Sequence, residues 1–197
     1  MRRRTFDVLA TVTGFVLTAV LLIGGGLLLW GHSTINTQVH NQLAAQKIVF
    51  PAANSPEIKA LPAADAAAMK QYAGQQMTTG AQAETWADHF IAVHLVKIGG
   101  GKTYDQLSAA SLENPKNAAL AAQVMTVFRG TTLRGMLLNA YGWWQVGQIM
   151  FIAAWCAFGA ALVMLVLSIL GLVHLRGTAP ESEVFPKLAT KAQASAV

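Results

Sequence analysis

The chain has 197 residues, 54% hydrophobic and only 12% charged, with a formal net charge of +5. A soluble domain carries about 25% charged residues, so a protein surrounded only by water is excluded as the simplest account. Three arginines (Arg2, Arg3, Arg4) supply much of the basic excess, and residues 31–142 hold eight Lys/Arg against six Asp/Glu, a balance that excludes a nucleic-acid footprint.

Residues 1–5 read as a short cytoplasmic N-terminus. Residues 6–30 follow as an apolar run whose only charge is Asp7. A helix needs roughly 20 apolar residues to span a bilayer, so 6–30 is expected to be the first transmembrane helix. The run exceeds the ~7–15 residues of a signal-peptide core, and "GHSTINTQ" after Trp30 offers no small-x-small cleavage site. An uncleaved anchor is expected.

Beyond the anchor, Ile35, Val39 and Leu43 recur every fourth residue, which predicts continuation of the helix to Lys47. Pro51, Pro56 and Pro62 then forbid a continuous helix and predict an extended connector. Within it Ile48, Val49 and Phe50 could form a strand, with no evident partner. Helical signals return over 65–75 and again over 80–98, where Gly99, Gly100 and Gly101 provide a stop. Thr103 and Gln106 form a capping box that starts a short helix. Pro115 is read as the start of the last helix, which runs on into a second apolar segment. That segment, 143–175, carries no acidic or basic residue before His174, and is expected to be the second transmembrane helix. Residues 176–197 read as a disordered cytoplasmic tail.

The expected fold is therefore all-α: a membrane protein with two transmembrane helices and a small extracytoplasmic helical domain, 31–142. Orientation follows from basic flanks. Arg2–Arg4 precede the first span, and Arg176, Lys187 and Lys191 follow the second, while 31–46 carries no Lys or Arg. Both termini are placed in the cytoplasm. Arg129 and Arg134, on the outer side, soften the asymmetry without reversing it. Trp30 at one outer end, and Tyr141, Trp143 and Trp144 at the other, suit an interfacial aromatic belt. With one cysteine no intramolecular disulfide can form, and Cys156 reads as a buried structural thiol.

One stretch gathers chemical side chains, "ETWADHFIAVHL" at 84–95. On a regular helix, with Glu84 at the origin, Asp88 falls near about 40°, His89 near about 140° and His94 near about 280°. The two histidines cannot then share one metal from a single helix, unlike the i, i+4 pair of a zinc protease. Glu84 and Asp88 share a face, Trp86, Phe90 and His94 lie on the apolar side, and His89 is solvated. No metal, cofactor or catalytic residue is assigned. A metal site would have to draw on His32, His40, Glu84 and His94. "GGGKT" at 99–103 lacks the earlier glycine of a phosphate-binding loop, since Val96 stands there. The serines sit in no strand–turn–helix elbow, and no ionisable residue lies near the middle of either span.

The spans themselves carry stripes of small residues: Thr11, Gly14, Thr18 and Gly25 on the first, Ala153, Ala157, Ala161 and Ser168 on the second. Such stripes admit close helix approach, either between the two spans or toward a partner membrane protein or second copy. The lipid bilayer is the one partner both spans require.

The segments "FPAANSPEI", "QMTTGAQAETWADHFIAVHL", "GGKTYDQLSA" and "FRGTTLRGMLLNAYGWW" resemble a family of two-span membrane proteins of actinobacteria, mycobacteria among them. The resemblance covers nearly the whole chain except the tail. It implies the topology and a cell-envelope location. Members are often labelled aromatic ring-opening dioxygenases, but such an oxygenase needs two histidines and a carboxylate on one iron, which the helical wheel does not supply. The function expected is that of a non-enzymatic, membrane-anchored interaction or accessory module. The alternative is a ligand-, lipid- or metal-binding protein or enzyme with a site on the outer domain.

Overall fold

The computed structural model describes residues 3–177, with side chains from Thr5 onward. The chain beyond 177, where most of the expected tail falls, lies outside the described residues. Those residues are almost wholly helical, with no strand among them. Two long helices frame the chain: α1, Arg3–Ala45, and α7, Ala118–Gly177. Each holds a window long and apolar enough to cross a membrane, with mean hydropathy 2.3 and 2.6. Between them lie α2 (Pro56–Lys59), α3 (Ala63–Lys70), α4 (Gly80–Trp86), a π turn (Ala87–Ile91), α5 (Ala92–Gly99) and α6 (Tyr104–Glu113).

The helix ends obey local chemistry. Lys47 takes a left-handed φ of 54°, and the Gln46 and Lys47 amides donate to Leu43 and Ala44, closing α1 in a turn. Thr79–Gln82 and Thr103–Gln106 each close a capping box, at the starts of α4 and α6. Gly100 and Gly101, at φ 58° and 78°, end α5 in the left-handed region that glycine enters freely. The last helix begins three residues later than Pro115 because Asn117 is the better cap: its side chain accepts from the Leu120 amide at 3.0 Å. The connector also forms one unforeseen turn of helix, α2. Its Ser55 caps the Ile58 amide, and Glu57's own amide and the Ser55 hydroxyl hold the Glu57 carboxyl below its ordinary range.

Two compact units emerge. The first comprises 3–29 and 151–177. Its two helices pack antiparallel, with Thr11 against Gly171, Gly14 against Ser168 and Gly25 against Phe158. Thr11, Thr18 and Gly25 are buried on one helix; Ala154, Ala161 and Ser168 on the other. Both sets repeat every seven residues, the period of a left-handed coiled-coil seam. The second stripe is therefore shifted from an i, i+4 reading: Ala154 is fully buried, while Ala153 and Ala157 are half-buried. Cys156 is exposed rather than buried, because it lies off this seam.

The second unit is Trp30–Met150. Its core joins Val39 and Leu43 of α1, Phe50 of the connector, Ile58, Met69, Met77, Ala83, Ala87 and Leu137. Phe50 is 1% exposed. It starts a run of ring contacts through Trp86 and Phe90 to His94, with centroids 5.0, 4.7 and 4.5 Å apart. The segment 48–50 does find a partner: Val49 bridges Gln76, and the flanking amides of Phe50 and Met77 donate to Gln75 and Ile48. A single antiparallel bridge thus pins the connector across the turn after α3. Helix α3 stops at Lys70, so residues 71–75 form that turn instead of more helix.

Candidate functional site

The polar stretch 84–95 does not form a regular helix. Residues 87–91 close as a π turn, i to i+5, which widens the helix and breaks the 100° count. The consequence falls on neighbouring side chains. Asp88 accepts two bonds from the Arg134 guanidinium of α7, at 2.6 and 3.1 Å. His89 is not merely solvated: its Nδ1 lies 2.7 Å from the Asp65 carboxylate of α3. The turn therefore ties α7 through one residue and α3 through the next. Glu84 joins neither ion pair.

Of the remaining candidates for metal ligation, His94 and His32 are engaged in structural contacts. His94 is half-buried; its Nδ1–H donates to the Phe90 carbonyl at 2.7 Å, within its own helix. His32 has Nδ1 2.8 Å from the Gly147 carbonyl and contacts the Asn36 amide. His40 is exposed. Among the described residues His32, His40, Glu84 and His94 do not converge, and no group of three or more His, Cys, Asp or Glu could hold a metal. Separation along the helices is the reason: His32 and His40 lie two helical turns apart on α1.

A different feature of the second unit has the form of a binding site. A groove of about 630 Å³ runs between α1 and α7, floored by Trp86 and Ile91. Leu43 and Ile48 form one wall, and Leu133, Met136 and Leu137 the other. A second section of about 330 Å³ shares Gln42, Met136, Asn139 and Ala140 with the first and reaches Trp143. Gln38, Gln42 and Gln46 stand at successive i, i+4 positions along α1, so one stripe of amides edges both sections. No ionisable side chain lines either section. Gly135 faces open space, with nothing within 4 Å of where a Cβ would stand. This site was missed at the level of sequence. Its signal was present as the glutamine ladder 38/42/46 and the glycine within "RGMLLNAYGWW", but pairing them requires knowing that α1 and α7 are neighbours.

Comparison with protein-family models, with curated proteins and with solved structures returns no match.

Proposed function

We propose that the chain is a two-span integral membrane protein whose region 31–142 acts on the extracytoplasmic side as a non-enzymatic interaction or accessory module. One observation carries the membrane reading. The two apolar windows are only 17% and 11% buried within the chain, whereas the core helix of a soluble protein hides its apolar side chains. Exposed apolar surface on this scale is untenable in water; in hydrocarbon it is the solvated face. Val16, Val20, Ile23, Leu162, Val166 and Leu170 are all exposed, between 48% and 65%. The backbone of both windows is helical throughout, as hydrocarbon requires.

The orientation rests on Arg2, Arg3 and Arg4 before the first span and Arg176, Lys187 and Lys191 after the second. Trp30 and Trp143, at 69% and 56% exposed, suit an outer interface. The accessory role is supported by what the second unit does with its polar groups: His32, His89, His94 and Arg134 bind backbone carbonyls or neighbouring helices. The partner expected is another envelope protein or a second copy. The uncharged groove favours a second reading, in which the same module binds a lipid.

Topology is tested with single-cysteine variants on a Cys156→Ala background. A membrane-impermeant maleimide should label the His40→Cys variant in intact cells and the Lys187→Cys variant only after permeabilisation. Release of the protein by alkaline carbonate, or the reverse labelling, overturns the membrane reading. Crosslinking in native membranes should capture a second polypeptide; a strictly solitary monomer overturns the accessory role.

A further inference from the structure

We infer that the outward face of α7 from Met125 to Ile149 docks against the same face of a second copy, as a parallel two-fold pair of helices. This rests on the membrane and accessory reading above and names the partner.

Within the second unit, positions 125, 128, 132, 135, 139, 142, 146 and 149 alternate steps of four and three, the spacing of a helix-pairing seam. All eight are exposed, while Leu137 and Gly147, on the other side of α7, are buried. Any surface helix has an exposed face; composition is what singles this one out. Met125, Phe128, Val146 and Ile149 are 42–64% exposed, and Met136 and Trp143 on the flank are 65% and 56% exposed. If a large side chain presents roughly 200 Å², these six leave about 600 Å² open per copy. A stable interface covers roughly 600–1,000 Å² per partner, so the face is large enough to hold one. On the topology proposed above, Met125, Phe128 and Met136 precede the second span, and lipid does not cover them.

Symmetry favours a second copy as the occupant. Two copies inserted the same way round are related by a two-fold axis along the membrane normal, which runs their α7 helices parallel. Each residue near the axis then faces its own equivalent. A charge there would meet a like charge, and none of the eight positions carries one. Thr132 and Asn139 each offer a donor and an acceptor, so each can bond its own copy. An asparagine at such a central position of a parallel seam fixes register and pairing. Gly135 and Gly142, one heptad apart, meet nothing within 4 Å of where a Cβ would stand, so a second helix can approach closely there. Thr132, Gly135 and Asn139 also wall the uncharged groove, which leaves room beside the seam for the partner's side chains.

The test uses two differently tagged full-length forms, co-expressed and solubilised in mild detergent, with capture of one tag scored for the other. The parent pair should co-purify. Asn139→Lys in both forms should reduce capture about tenfold, equivalent to ~1.4 kcal/mol of pairing. Asn139→Lys in one form with Asn139→Asp in the other should restore it. Residue 139 is exposed, so the thermal midpoint should stay unchanged in these variants. Independently, on a Cys156→Ala background, mild oxidation in membranes should link the Asn139→Cys variant into a homodimer. The Thr126→Cys variant, exposed on a different face of α7, should stay monomeric. Capture indifferent to residue 139, a Lys–Asp combination that fails to restore it, or equal linkage of the two cysteines overturns the proposal. A parent that captures a different polypeptide and no second copy overturns it while leaving the accessory role intact. Release of the chain by alkaline carbonate overturns the membrane reading, and the parallel pairing with it.

Discussion

Gly80 is buried, and a Cβ built on it would run into the Cβ and indole of Trp144. Alanine has the better helix propensity by up to about 1 kcal/mol, yet the obstacle is anchored to the α7 backbone and cannot swing aside. Gly80→Ala should therefore destabilise the second unit by about 1–3 kcal/mol, read as a lower thermal midpoint of the detergent-solubilised chain. The Asp88–Arg134 pair has side chains 35% and 39% exposed, so water screens much of its attraction. A double-mutant cycle with Asp88→Asn and Arg134→Met should return a coupling of about 0.5–1 kcal/mol. A coupling near zero would reduce the pair to an incidental surface contact. At this scale much was readable from the chain. The capping box at Thr103 and the glycine stop at 100–101 depend on residues a few positions apart, and both form. The pairing of His89 with Asp65 was not readable, because it joins residues brought together only by folding.

Among whole elements, the triple glycine 24–26 shows how a helix pair discriminates between neighbours. Only Gly25 faces the partner helix, where a Cβ would strike the Phe158 ring; Gly24 and Gly26 meet nothing within 4 Å. Gly25→Leu should force the two helices apart at a cost of about 1–3 kcal/mol, while Gly24→Leu should be tolerated. Thermal unfolding of the two variants in the same detergent makes the comparison, and equal midpoints would refute the seam. The π turn is the element that sequence periodicity could not reveal. Five residues of ordinary helical composition, "ADHFI", carry it, and nothing local marks the widened closure. Its setting does: Asp88 reaches α7 and His89 reaches α3 from adjacent positions, while Ala87 stays in the core.

For the molecule as a whole, the long helices do two jobs in different surroundings. Over 3–29 and 151–177 they present apolar side chains outward and small residues toward each other. Over the remainder they contribute Val39, Leu43 and Leu137 to a core built with α2 to α5. Within the second unit His32 of α1 bonds to the Gly147 carbonyl of α7. This explains why a histidine that could have been a ligand is a packing residue.

Helix content, the two apolar windows and the breaks at proline and glycine are determined by the sequence alone. Each depends on composition or on spacing within a few turns, which local backbone physics converts directly into structure. What only the tertiary structure decides is which of those residues meet. The true register of the second stripe depends on which face the partner helix covers, so Ala154 is buried in place of Ala153. The fate of the carboxylates and histidines at 84–95 depends on Arg134 and Asp65 arriving from other elements. The groove needs walls from α1 and α7, far apart in the chain and adjacent only after folding. Contacts of that kind leave no periodic trace, because their free energy belongs to neither segment until both are in place.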